Sequence, residues 1–221
     1  PEAAFADLRE LAGSLRALAQ PIFDEHLSPD LPPLLRRPAH HLVVTVVGDI
    51  LVTALEEARF LTEGLRLSPQ LAGRARLELA ARRRKEQLVL ARFVPALMDF
   101  ERELYRDPGQ DLTQLWWELM GPALGLHPDD PRAPAWAILP SILEGPGVLC
   151  ERLVATLAGA QIRRALTRDC RHQAFLARPE AGSFLQGELI APGAAIDWQE
   201  LIVKTSGEPL SIESFLAEIV S

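Results

Sequence analysis

The stretch "RKEQLVLARFVPALMDFERELYR", residues 84–106, indicates the fold class of this chain. Its apolar residues recur at alternating intervals of three and four, which places them along one face of a helix that packs against other helices. These residues are Leu90, Phe93, Leu97, Phe100 and Leu104. Upstream, Ser68 suits an N-cap and Pro69 suits the first helical position, so the sequence predicts one helix from there to about Arg106. Pro95 lies inside this helix and is expected to kink it.

The rest of the chain also has mainly helical patterns. Near the N-terminus the same spacing recurs at Phe5, Leu8, Leu11, Leu15 and Leu18. The apolar segment that begins at Leu42 is too long for a strand and predicts a buried helix ending near Gly64. Further helices are expected after the capping pairs Asp111/Gln114 and Asp197/Glu200, after Ser211, and from Trp136 to Thr167 with a break at Gly145–Gly147. Proline-rich residues 20–39 are predicted to form a loop. The sequence therefore predicts a single all-α domain over residues 1–221.

Composition and charge limit the classes of partner. The chain has a net charge of −7, which argues against a nucleic-acid partner, because phosphate binding requires a basic surface. Its longest apolar run, Leu42 to Leu55, is interrupted by Asp49 and is too short to cross a bilayer. No signal peptide is visible, and Cys150 and Cys170 have neither disulfide-framework nor zinc-knuckle spacing. These features favour a cytoplasmic protein with two unpaired cysteines.

One basic run, "RRRKE" at residues 82–86, lies inside the predicted long helix. Glu78 precedes Arg82 by four residues, a spacing that suits a solvent-exposed helix face with ion pairs. We therefore expect no binding role for these arginines.

Three stretches resemble a known family. "FERELYRDPGQDLTQLWWELM" at residues 100–120 is followed by "RAPAWA" at 132–137 and by "GSFLQGELIAPGAAIDWQELIVKTSGEPLSIESFL" at 182–216. Together they resemble the C-terminal catalytic half of the M3-like zinc oligopeptidases, gluzincins of the thimet oligopeptidase and oligoendopeptidase F type. The resemblance is strongest over residues 80–221 and implies the helical fold of that half.

The resemblance also implies that the catalytic site is degenerate. In the family, an HExxH helix supplies two histidine ligands and a glutamate general base, the next helix supplies a third ligand, and histidine and tyrosine side chains stabilise the oxyanion. Here Arg9 and Gly13 match the two histidines, and Glu10 matches the general base. The stretch Leu42 to Leu55 stands where the third ligand is expected, and Asp49 is its only acid; Ser141 stands near the oxyanion histidine. The Arg9 guanidinium is then expected near the vacated metal position, paired with Glu10 or Asp49.

Without zinc there is neither a Lewis acid nor an activated water. The resemblance therefore implies a catalytically inactive peptidase-like protein, without a cofactor, that acts as a binding or scaffolding subunit. About half of the peptidase architecture is absent, and the apolar wall left exposed would need cover from a second copy or a partner protein. A peptide is a further candidate ligand.

Two other interpretations stay open. The first is a zinc-dependent oligopeptidase with unusual ligands, or one completed by a partner chain. Its candidate ligands are His26, His40, His41 and Asp49, although adjacent His40 and His41 cannot both point the same way on a helix or strand. The second is a helical interaction domain unrelated to peptidases.

Overall fold

The structure, a computed structural model, describes residues 2–169 and 179–220. The secondary structure of these residues consists of helices joined by loops, with no strand, which confirms the predicted all-α class. The α-helices are α1 (Glu2–Ala17), α2 (Ala19–His26), α3 (His41–Val52), α4 (Pro69–Arg106), α5 (Leu112–Leu124), α6 (Pro140–Glu144), α7 (Val148–Asp169), α8 (Pro179–Phe184), α9 (Trp198–Ser206) and α10 (Glu213–Val220). Short 3₁₀ segments occupy Pro33–Leu35, Thr53–Glu56, Ala135–Ile138 and Gly193–Ala195, and π-helical segments occupy Phe60–Gly64 and Leu185–Ile190. None of the described helices combines the length and apolar character needed to cross a bilayer.

The chain divides into two compact units. The first unit comprises Pro1–Arg84 and Ala155–Ser221, and the second comprises Lys85–Val154. The prediction of one domain over residues 1–221 stays a prediction, because the two units are distinguished by their contacts and not by whether each folds alone.

In the first unit, α3 is the most apolar helix and packs against α1. Val46, Val47 and Ile50 of α3 are almost completely buried. The two helices approach closely at Gly48, where an added Cβ would lie 3.2 Å from the carbonyl oxygen of Arg16. This close approach explains a glycine in the middle of an otherwise valine-rich helix.

The C-terminal helices of the first unit depend on a tight turn and a cap. The turn at Gly193 has φ +52°, and an added Cβ there would lie 2.6 Å from the carbonyl oxygen of Leu35. Downstream, Asp197 accepts a hydrogen bond from the backbone N–H of Gln199 at 2.9 Å, which confirms it as the N-cap of α9.

The second unit packs the C-terminal part of α4 against α5. The rings of Phe100 and Trp116 meet edge to face, with centroids 5.1 Å apart, in the buried centre of this unit. The neighbouring Trp117 is half-buried and donates its indole N–H to the carbonyl of Ala133 at 3.2 Å. The break before α7 is held by Glu101, whose carboxylate accepts from the backbone N–H of Gly147 at 2.9 Å.

Several predicted boundaries are confirmed. Helix α4 runs from Pro69 to Arg106, and the Ser68 hydroxyl accepts from the backbone N–H of Leu71 at 3.3 Å. Asp111 caps α5 by accepting from the N–H groups of Thr113 and Gln114. The reciprocal half of the predicted capping box does not form, because the Gln114 amide bonds Glu118 instead.

Two predicted segments differ from the structure. Residues 20–26 of the predicted loop belong to α2 (Ala19–His26). Pro21 is tolerated there because it lies in the first turn of that helix, where a missing N–H costs little. The predicted helix from Leu42 to Gly64 ends as an α-helix at Val52. There the Thr53 hydroxyl donates to the carbonyl of Ile50 at 2.6 Å, and the backbone tightens into 3₁₀ geometry.

Candidate functional site

The first unit contains a cleft of about 1170 Å³. Its walls are the segment around Thr53–Glu56, the part of α4 up to Arg84, α7, α10 and the connection between α9 and α10. Ligand pockets commonly measure about 300–1,000 Å³, so this cleft has room for a short peptide segment. The charged residues that line it are Glu56, Glu57, Arg83, Arg84, Arg163, Arg164, Arg168, Glu208 and Glu218.

Four of these charges form one connected network. Arg83 binds Glu56 through two nitrogens, at 2.6 and 3.1 Å. Its third nitrogen, Nη1, donates to Glu218 at 2.8 Å. Arg163 binds both oxygens of the same Glu218, at 2.9 and 2.7 Å. Glu218 therefore joins α10 to both α4 and α7.

The network favours the charged forms of Glu218 and Arg83. Burial opposes ionisation of Glu218, but the charges and hydrogen bonds of Arg163 and Arg83 outweigh it and hold the pKa of that carboxyl below its ordinary value. Burial likewise opposes the charge of Arg83, yet Glu56 and Glu218 together raise its pKa above the ordinary value. The ion pair between Arg83 and Glu218 in the cleft wall is therefore charged at neutral pH.

A buried glutamine fixes the loop at one end of the cleft. The amide nitrogen of Gln161 lies 2.8 Å from the Ser206 hydroxyl and 2.9 and 3.0 Å from the carbonyls of Glu208 and Pro209. Its amide oxygen accepts from the backbone N–H of Ser211 at 2.9 Å. Because Gln161 is 1% exposed, these bonds are shielded from water and hold the α9–α10 connection in place.

Two cleft arginines stand outside the network. Arg84 on α4 and Arg164 on α7 line the cleft, and neither forms an ion pair with another residue that the structure describes. Arg164 lies 3.5 Å from the Ser214 hydroxyl, at the limit of a hydrogen bond. Arg168, one turn further along α7, is exposed but differs from these two arginines, because it already interacts with another group. The cleft thus presents guanidinium groups to whatever enters it.

The positions matched to the peptidase site lie elsewhere. Arg9, Glu10 and Gly13 are exposed on α1, and Ser141 is buried in α6. None of the four lines the cleft.

The expected placement of the Arg9 guanidinium beside Asp49 is wrong. Arg16 takes that position, with its Nε 3.2 Å from the Asp49 carboxylate. Arg9 lies two helical turns away from Arg16, about 10 Å along α1. Its side chain is exposed and forms no ion pair with Glu10 or Asp49 in the described part of the chain.

The structure does not gather the four candidate metal ligands. His26 lies in α2 with its Nδ1 3.0 Å from the carbonyl of Ile22. His40 caps α3 by accepting from the N–H of Leu42, and His41 is the exposed first residue of that helix. Asp49 is paired with Arg16, as described above. Across residues 2–169 and 179–220, no three His, Cys, Asp or Glu side chains are grouped so that they could hold a metal ion.

Of the two cysteines, Cys150 is a partly buried free thiol, and Cys170 lies outside the described residues.

Sequence reasoning missed the residues that build the cleft. Arg83 was expected on an exposed face, yet only 23% of its side chain is exposed. One available signal was Glu218, which follows buried Phe215 by three residues and buried Ser214 by four, and so lies on the packed side of α10. An acid at such a position predicts a buried cationic partner.

The comparisons with known proteins identify no relative. The chain matches no protein-family model, no curated protein and no solved structure.

Proposed function

We propose that this chain is a catalytically inactive, peptidase-like binding protein, and that the cleft of the first unit binds a peptide segment of a partner. One observation carries the proposal: a cleft of about 1170 Å³ whose walls on α4, α7 and α10 are tied together by Arg83, Arg163 and Glu218. A site fixed in this way loses little conformational freedom when a ligand enters, which favours binding.

The resemblance to the M3-like gluzincins supports the inactive part of the proposal. Arg9 and Gly13 stand where that family has zinc-binding histidines, so a bound zinc and its activated water are not expected. The fold implied is that of the C-terminal catalytic half of these peptidases. The cleft argument does not depend on this resemblance, because the matched positions do not line the cleft.

Selection from a random peptide library, displayed on phage, tests the proposal. Ala217 is exposed at the cleft edge on α10, so Ala217→Trp obstructs the cleft without disturbing the buried core. Ala81→Trp is the matched control, because Ala81 is an exposed helical residue that does not line the cleft. We expect peptides that bind the unmodified chain and Ala81→Trp. These peptides should bind Ala217→Trp at least about tenfold more weakly, a loss of about 1.4 kcal/mol, because the added indole takes space that the peptide needs.

Two results would contradict this proposal. One is the recovery of no peptide, and the other is equal binding of every recovered peptide to Ala217→Trp. If the peptide segment comes from a second copy of this chain, light scattering will show a dimer that Ala217→Trp dissociates.

A further inference from the structure

The cleft contains guanidinium groups in two different states. Arg83 and Arg163 are each held by carboxylates at 2.6 to 3.1 Å. Arg84 and Arg164 line the same cleft but form no ion pair with any residue in the described part of the chain. Arg84 is partly buried and Arg164 is exposed. A guanidinium that lacks an ion-pair partner is stabilised by an opposite charge, and the attraction is stronger where the group is partly shielded from water. The unpaired charges therefore point to an anionic group on the ligand.

We propose that Arg84 and Arg164 bind a carboxylate of the peptide that occupies the cleft, an inference that rests on the proposed function. Guanidinium groups bind carboxylates through two parallel hydrogen bonds, which gives both affinity and orientation. The Arg83–Glu56 pair in the cleft wall already has this geometry. The ligand is thus an acidic peptide, although the chain itself carries a net charge of −7.

The cleft edge formed by α10 extends the same surface with apolar side chains. Ala217 lines the cleft, and Val220, three residues later, lies on the same side of the helix. Val220 and Leu216 are 84% and 47% exposed. A peptide whose carboxylate binds Arg84 and Arg164 can therefore place an apolar side chain against α10, so the ligand that fits is acidic and amphipathic.

Fluorescence anisotropy with four labelled probes tests this inference on the full chain. The first probe is a short peptide of glutamate, leucine and alanine, and the second has glutamine in place of every glutamate. Each is used with an amidated and with a free C-terminus. The protein variants are Arg84→Gln and Arg164→Gln, with Arg76→Gln as the control, because Arg76 is exposed on α4 and does not line the cleft.

We expect the amidated glutamate peptide to bind at least about fivefold more tightly than its glutamine counterpart, the size expected for one charge-assisted hydrogen-bonded pair. Arg84→Gln and Arg164→Gln should each remove most of that difference, and Arg76→Gln should leave it unchanged. A second result to look for is that the glutamine peptide with a free C-terminus matches the affinity of the amidated glutamate peptide. If Arg84→Gln and Arg164→Gln also weaken its binding, the inference is supported, and the bound carboxylate is that of the peptide's C-terminus.

Equal binding of glutamate and glutamine peptides, unaffected by Arg84→Gln and Arg164→Gln, would overturn the carboxylate assignment and leave the proposed function standing. If none of the four probes binds while a library-selected peptide does bind, the carboxylate assignment is also overturned and the proposed function stands. If neither the probes nor any library peptide binds, both proposals fail.

Discussion

Glu218 is the residue on which the cleft network depends most. It accepts hydrogen bonds from Arg83 and Arg163, and the side chain of Arg163 is only 8% exposed. Without the Glu218 carboxylate, the Arg163 guanidinium would remain buried without its charge partner. Breaking a buried ion pair on one side commonly costs about 3–5 kcal/mol, because the remaining charge stays desolvated.

We expect Glu218→Gln to lower the free energy of unfolding by about 3 kcal/mol at neutral pH, measured by urea denaturation. The folded-state pKa of Glu218 lies below its ordinary value, so its contribution is present above the ordinary pKa of a glutamic acid. That contribution is lost as the pH falls towards the lower, folded-state pKa. The difference between the two proteins should therefore narrow below about pH 4. Glu10→Gln, at an exposed position of α1, is the control and should change stability little; a Glu218→Gln difference that stays constant with pH would contradict the account.

Between elements, the tightest described approach of a glycine to its neighbours is at Gly193. Its φ of +52° lies in the left-handed region, and an added Cβ would lie 2.6 Å from the Leu35 carbonyl and 2.9 Å from the Leu31 side chain. The turn at Gly193–Ala195 is thus pressed against the segment that precedes α3. A methyl group at position 193 would collide with the backbone carbonyl of Leu35. Rotation of a side chain cannot relieve this contact, so backbone atoms must move.

We expect Gly193→Ala to destabilise the protein by about 3 kcal/mol, from the strained φ and the backbone contact together. Gly73→Ala is the matched control, because Gly73 is in α4 with nothing within 4 Å of an added Cβ. That substitution should stabilise the helix by up to about 1 kcal/mol. Thermal or urea unfolding measures both variants, and equal effects of the two would refute the close packing inferred at Gly193.

Over the whole molecule, local patterns predicted the helices well and the cleft poorly. Helix α4 was predictable because its start depends on Ser68 and Pro69, which act within one turn. The cleft depends on ion pairs between residues 27, 55 and 135 positions apart along the chain. Patterns of three and four residues contain no information about such pairs, so Arg83 was assigned to an exposed face.

The central claim is that the protein binds peptides and does not cleave them. The most direct test incubates a library-selected peptide with protein purified without chelator and follows the peptide by mass spectrometry. The account predicts that the peptide is recovered intact and that added zinc makes no difference. Cleavage that requires zinc and stops on adding a chelator would contradict it.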